Sequence, residues 1–256
     1  VERPAHPPFY NPALALKDGG WIEYYVESTD RSRRSFSGWI LPASKIKGGM
    51  AVVEARTGRV LAMVGGDDFY DPYEAQAQYN FAAQGGRQPG SGIKPLFYAA
   101  AVASGFTPNR LFLNSPFAIG DYIGRNYSTL YEGRRMTMQE GLERSQNVMM
   151  LRVFDALGYR RGVDFVNQFD VAWPSPKWNI PQGQASVCLG TFSVTPLELA
   201  AAYTAFVNEG VAIRPFAVDR IVNRDGQTVF EARPEKRKIL TPQQAYLLTD
   251  MLLPAT

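Results

Sequence analysis

Ser91 and Lys94 lie three positions apart at the start of an apolar segment that spans residues 93–102. If this segment is a helix, both side chains share one face, and the amine of Lys94 can reach the hydroxyl of Ser91. A serine needs an adjacent base to become a nucleophile, and a partly buried lysine can lose its proton and act as that base. By spacing alone, however, the pair is better explained as a helix-capping serine and a solvated lysine.

A second polar group, Ser145-Gln146-Asn147, lies downstream, inside another predicted helix or at a break in it. Ser145 could relay a proton, and Asn147 could hydrogen-bond an amide of a substrate. Alone, the group fits polar residues on a helix face. The serine–lysine pair and this group together favour a nucleophilic enzyme.

Composition excludes several other kinds of chemistry. The chain has one cysteine, Cys188, and one histidine, His6, which excludes an internal disulfide framework, a cysteine-based zinc site and a well-partnered histidine base. Cys188 is expected to be a small buried residue. The net charge of +3 comes from scattered lysines and arginines, which predicts no nucleic-acid surface. No apolar run is long enough to span a membrane, and no metal or organic cofactor is indicated.

The order of the predicted strands and helices that position these residues indicates an α+β domain. Residues 1–48 are rich in proline and polar residues with short β-prone pieces, and are predicted to be a linker or a small β-rich segment. Residues 49–256 are predicted to form the main domain. Its predicted elements are a hairpin of residues 50–55 and 60–64, helices at 93–102, 137–157, 196–208 and 242–253, and a hairpin of residues 216–223 and 228–232.

Five segments carry a resemblance to a known family. Residues 87–95 read Arg-Gln-Pro-Gly-Ser-Gly-Ile-Lys-Pro. They resemble the nucleophile motif of class A penicillin-binding proteins, whose usual form is Arg-Gln-Pro-Gly-Ser-x-x-Lys-Pro. Residues 62–66 and 78–80 match the approach to that motif, residues 143–148 look like the Ser-x-Asn motif, and residues 194–200 look like the helix that follows.

The resemblance implies a penicillin-binding transpeptidase fold, with an antiparallel sheet covered by helices and a mostly helical subdomain. It implies a serine D,D-transpeptidase that cross-links peptidoglycan stem peptides ending in D-Ala-D-Ala and that β-lactams inactivate. Ser91 would be the nucleophile, Lys94 the general base and Ser145 the proton shuttle, while Asn147 would bind substrate. The parent protein would also carry a glycosyltransferase domain and act at the periplasmic face of the cytoplasmic membrane. It would be held there by an N-terminal anchor that precedes these residues, with cell-wall synthesis proteins as further partners.

Two departures qualify the resemblance. Gly92-Ile93 replaces the usual pair of a small residue and phenylalanine, which is a minor change because isoleucine is also apolar. The family's third motif, Lys-(Thr/Ser)-Gly on a C-terminal strand, does not occur among these residues, so the domain is expected to be incomplete at its C-terminal end. A D,D-carboxypeptidase of the same fold and a non-catalytic β-lactam sensor or scaffold are the alternatives.

Overall fold

The computed structural model describes residues 23–30, 35–41, 47–66, 68–70, 77–127, 133–174 and 178–254. His6 lies outside these ranges. The chain divides into two compact units, Val1–Lys47 and Gly48–Thr256. In the first unit, strands β1 (Glu23–Asp30) and β2 (Ser35–Leu41) form an antiparallel pair.

In the described part of the second unit, every sheet has two antiparallel strands. The pairs are β3 (Met50–Val53) with β4 (Val60–Val64), β5 (Leu111–Leu113) with β8 (Arg135–Thr137), β6 (Phe117–Ile119) with β7 (Tyr122–Gly124), β9 (Val211–Ile213) with β12 (Lys236–Lys238), and β10 (Arg220–Val222) with β11 (Thr228–Glu231). Both predicted hairpins are therefore confirmed.

Helices form the centre of this unit. They are α1 (Lys94–Ala103), α2 (Met138–Glu143), α3 (Asn147–Leu157), α4 (Tyr159–Val166), α5 (Pro196–Val207) and α6 (Pro242–Leu252). α1 is buried from Lys94 to Val102 and packs against α3, α4 and α6, while α5 packs against β3. Because α1 is enclosed by other helices, a polar side chain on it is removed from water.

The helix starts follow from local sequence. At the start of α5, the Thr195 hydroxyl accepts a hydrogen bond from the Glu198 backbone N–H, and the Glu198 carboxylate accepts one from the Thr195 N–H. Pro196 occupies the first turn, where its missing N–H costs nothing. The same arrangement begins α6 at Thr241. These caps stabilise both helices at the starts that were predicted, Pro196 and Pro242.

One predicted helix is divided in two. Residues 137–157 form α2 and α3, and Ser145 lies between them with a φ of +49°. Because this left-handed conformation cannot continue a right-handed helix, the chain changes direction there. The prediction of one continuous helix is therefore wrong, and the alternative of a break at Ser145-Gln146-Asn147 is confirmed.

Candidate active site

Lys94 is the buried centre of the site. Its side chain is 1% exposed at the first position of α1. Its Nζ atom donates to the Ser145 carbonyl oxygen at 2.7 Å, to Ser145 Oγ at 3.1 Å and to Asn147 Oδ1 at 2.7 Å. The interpretation of Lys94 as a solvated lysine is therefore wrong. The fold brings together three of the four predicted site residues.

Burial changes the acid–base behaviour of this amine. Desolvation lowers the pKa of Lys94 from 10.5 to about 8, and the nearby Cys188 opposes this shift. The charged form loses the hydration that water would provide, whereas the neutral form loses little. A lysine with this pKa has an appreciable neutral fraction near neutral pH and can accept a proton.

Ser91 lies in a 3-10 turn, Gly90–Ile93, that leads directly into α1, and its side chain is exposed. Within the described part of the chain, Lys94 Nζ donates to Ser145 and Asn147 and not to the Ser91 hydroxyl. Direct contact between Ser91 and Lys94 therefore stays a prediction. The Ser91 side chain does not cap the helix, since no side-chain cap is present at this start.

The turn that carries Ser91 is held by distant backbone. Gly90 has a φ of +53° and packs against Gly190, where a built Cβ atom would lie 2.3 Å from the Gly90 oxygen. No side chain fits there, so glycine at position 190 allows this close approach. On the other side of the turn, the Tyr203 hydroxyl donates to the Gly92 carbonyl at 2.7 Å. Both contacts restrict where the Ser91 hydroxyl can lie.

The break at Ser145 aims two acceptors at the lysine. The N–H groups of Ser145 and Gln146 donate back to Leu142 and Gly141, which ends α2. The left-handed backbone at Ser145 then presents both its carbonyl oxygen and its hydroxyl to Lys94. A non-glycine residue in this region costs roughly 1–2 kcal/mol, so the surrounding contacts must hold it in place.

Asn147 is oriented from both ends of its amide. Its Oδ1 accepts from Lys94, and its Nδ2 donates to the carbonyl of Arg125 at 2.9 Å. The next backbone N–H, that of Val148, donates to Asn126 Oδ1 at 3.0 Å. Asn126 was not predicted from sequence, because an asparagine in a loop has no pattern that distinguishes it.

Cys188 lies in the core beside the site. It is fully buried, its Sγ donates to the Ala185 carbonyl at 3.2 Å, and burial raises the pKa of its thiol. The prediction of a small buried residue is confirmed. Among the described residues, no group of three or more His, Cys, Asp or Glu side chains is arranged to hold a metal ion. No helix in those ranges is both long and apolar enough to cross a membrane.

Comparison with known proteins identifies the family. The profile described as "Penicillin binding protein transpeptidase domain" matches residues 48–254. The chain belongs to this family. A curated relative of the transpeptidase domain, penicillin-binding protein 1A of Pseudomonas aeruginosa, is 32% identical over 190 residues, which are 72% of this chain and 22% of that protein. Penicillin-binding protein 2D of Bacillus subtilis is 30% identical over 215 residues, which are 82% of this chain and 30% of that protein.

Solved structures agree with this assignment. Penicillin-binding protein 1A from Haemophilus influenzae aligns with a TM-score of 0.70 and 25% identity, covering 88% of this chain and 37% of its own. These matches confirm the predicted class A transpeptidase domain and its α+β fold. The chain spans less than a third of the length of the two curated relatives described above.

A more distant structure shows the fold alone. Penicillin-binding protein A from M. tuberculosis, described as a penicillin G acyl-enzyme complex, has a TM-score of 0.72 and 21% identity. It covers 82% of this chain and 57% of its own.

Proposed function

We propose that this penicillin-binding transpeptidase domain is a serine D,D-transpeptidase with Ser91 as nucleophile. The observation that carries the proposal is the buried Lys94 amine, whose pKa lies near 8 and which has three acceptors within 3.1 Å. In the chain, Lys94 directly follows the 3-10 turn that carries Ser91, whose side chain is exposed. Acyl transfer requires a base of this pKa within reach of an accessible hydroxyl, and in this proposal Lys94 is the base and Ser91 supplies the hydroxyl.

The hydrogen bonds of Lys94 support a relay role for Ser145. A protonated lysine donates three hydrogen bonds, which matches the three acceptors around Nζ; a neutral lysine donates two and carries a lone pair. A carbonyl oxygen and an amide oxygen can only accept. The Ser145 hydroxyl is the one partner of these three that can reverse and donate to the neutral amine. Ser145 can therefore return a proton from Lys94 toward a leaving group.

The proposed reaction proceeds in two steps. Ser91 Oγ attacks the carbonyl of the penultimate D-Ala while its proton passes to neutral Lys94. The bond to the terminal D-Ala then breaks as Ser145 delivers that proton to the leaving amine. An amine from a neighbouring stem peptide attacks the resulting ester and forms the cross-link. The proton that this amine loses passes through Ser145 and Lys94 to Ser91 Oγ as the ester bond breaks, which restores the Ser91 hydroxyl. Asn147, already held by Arg125 and Lys94, would hydrogen-bond the amide backbone of the donor peptide.

The wider setting belongs to the same proposal. Residues 49–256 would be the transpeptidase domain and residues 1–48 its connection to a glycosyltransferase domain of the parent protein. Cross-linking of peptidoglycan would place this domain at the extracytoplasmic face of the cytoplasmic membrane. The relatives named penicillin-binding protein 1A and 2D, together with the acyl-enzyme complex of the M. tuberculosis protein, support β-lactams as ligands.

Intact-mass measurement of the full-length parent protein after incubation with benzylpenicillin tests the nucleophile. The wild-type protein should gain the mass of one benzylpenicillin molecule, and Ser91→Ala should gain none. Ser104→Ala is a matched control, because Ser104 is an exposed serine at the opposite end of α1. No adduct on the folded wild-type protein, or an adduct that persists in Ser91→Ala, would refute the assignment.

Product analysis separates the transpeptidase from a carboxypeptidase. With a peptide donor ending in D-Ala-D-Ala and an added amine acceptor, the transpeptidase should form the amide product and release D-Ala. Release of D-Ala with only the hydrolysed peptide at all acceptor concentrations would contradict cross-linking.

A further inference from the structure

Three consecutive residues, which begin with Gly124 at the end of β7, follow the first turns of α3. A built Cβ atom at Gly124 would lie 2.0 Å from Leu151 Cδ1, so the backbone here packs directly against a side chain of that helix. The Arg125 carbonyl accepts from Asn147 Nδ2, and Asn126 Oδ1 accepts from the Val148 N–H. This segment, residues 124–126, therefore runs along the helix end that carries Asn147.

The Asn126 side chain joins this segment to α3 through its hydrogen bond with the Val148 N–H. It is 5% exposed, and its Nδ2 donates to Oδ1 of Asn114, which is 1% exposed, at 3.1 Å. The residue at the N-cap position of α3, Gln146, makes no side-chain cap hydrogen bond. Asn126 therefore satisfies, from a separate loop, a backbone donor that a cap residue would otherwise serve.

The orientation of the Asn147 amide depends on this attachment. Rotation of that amide by half a turn would aim its NH₂ group at Lys94 Nζ, replacing an acceptor with a donor. The Arg125 carbonyl prevents the rotation, because it takes one hydrogen of the NH₂ group. The Arg125 carbonyl is bonded directly to the backbone nitrogen of Asn126. Its position therefore depends on the hydrogen bonds of the Asn126 side chain.

We propose that Asn126 is a positioning residue for the active site: its two hydrogen bonds fix the Arg125 carbonyl, which orients Asn147 toward Lys94. Asn126 acts through Asn147 and does not touch the reacting atoms. The inference rests on the proposed function for its effect on rate, and its structural step can be measured without any acylation.

The structural step is measured by NMR on the protein without ligand. The side-chain NH₂ of Asn147, assigned by its loss in Asn147→Asp, should exchange hydrogen with water faster in Asn126→Ala than in wild type. Thr137→Ala is the matched control, because Thr137 caps α2 through the Glu140 N–H but does not contact Asn147. Equal exchange in wild type and Asn126→Ala would overturn the proposal even if the protein were never acylated.

The functional step is measured by a double-mutant cycle on the acylation rate with benzylpenicillin. Loss of two hydrogen bonds that position a catalytic group should slow Asn126→Ala by about 10-fold or more. In the Asn147→Ala background, Asn126→Ala should have almost no further effect on the rate, because the side chain through which Asn126 acts is already absent. Full additivity of Asn126→Ala and Asn147→Ala would overturn the proposal, since a general loss of stability is additive.

A conservative variant keeps the test independent of folding. Asn126→Asp retains an acceptor for the Val148 N–H near a helix N-terminus, where a carboxylate is favoured, but it loses the donor to Asn114 Oδ1. It should recover part of the exchange protection and part of the rate that Asn126→Ala loses. An Asn126→Asp variant that is folded but as slow as Asn126→Ala would contradict the proposed role of the Oδ1 acceptor.

Discussion

The acylation rate of Ser91 should rise with pH and reach half of its maximum near pH 8. The reason is that only neutral Lys94 can take the serine proton, and burial lowers the pKa of this lysine from 10.5 to about 8. About one lysine in ten is then neutral at pH 7, whereas an ordinary solvated lysine would be neutral in about one molecule in 3,000. Burial thus increases the concentration of active base about 300-fold at that pH.

The same equilibrium sets the steepness of the profile. Well below pH 8 the neutral fraction changes about tenfold per pH unit, which gives about a 50-fold increase in the second-order acylation rate constant from pH 6 to pH 8. Above about pH 9 the rate should become constant. The carboxylate of the penicillin is ionised throughout this range, so its own titration does not contribute.

Stopped-flow measurement with a fluorescent penicillin at constant ionic strength gives this rate constant from pH 6 to 9.5. Lys94→Arg should remove the reaction, because arginine stays protonated at every pH used. Lys236→Arg, at an exposed lysine of β12, should leave the profile unchanged. A flat profile, or a midpoint above pH 9.5 in the wild-type protein, would refute the assignment of Lys94 as the base.

Three further predictions concern stability and reactivity. Because the folded-state pKa of Lys94 is lowered, this lysine binds more protons in the unfolded state between pH 8 and 10.5 and should contribute about 3 kcal/mol of added stability across that window. Buried Cys188 and Tyr98, whose pKa values are raised, act in the opposite direction there, so the Lys94 contribution is measured by urea denaturation as the difference in pH dependence between wild type and Lys94→Met. Gly190→Ala should lose about 1–3 kcal/mol more than Gly183→Ala in thermal or urea unfolding. Both glycines have positive φ, but the new methyl at 183 meets no atom within 4 Å, whereas at 190 it meets backbone at 2.3 Å. The Cys188 thiol should react with a thiol reagent in urea and remain protected in the folded protein, because it is fully buried and its pKa is raised; rapid labelling without denaturant would contradict the packing.

The parts that sequence could predict are those with a local cause. The helix after Ser91, the capped start at Thr195 and the hairpin of β3 and β4 each depend on neighbouring residues. The association of Ser91, Lys94, Ser145 and Asn147 came instead from a resemblance that covers long motifs. The structure adds that Lys94 contacts Ser145 and Asn147 of the second motif.

The parts that sequence could not predict depend on distant contacts. No glycine or proline next to Ser145 indicates from sequence that the backbone is left-handed there. The conformation is maintained by contacts with α2 and with Lys94. Asn126 becomes significant only when the fold brings it to the start of α3. The short strands β5 to β8 were also missed, because three residues are too few to show a period.

The left-handed backbone at Ser145 has a consequence for protein engineering, because stability and the proposed proton relay depend on the same residue. Replacement by glycine relieves the conformational strain, so Ser145→Gly could recover roughly 1 kcal/mol of folding free energy. The same change deletes the hydroxyl that contacts Lys94. Because the lost hydrogen bond to a buried amine costs a similar amount, a library screened for heat resistance alone would retain a variant that has lost the proposed proton relay. Selection on this domain should score β-lactam acylation and melting temperature together.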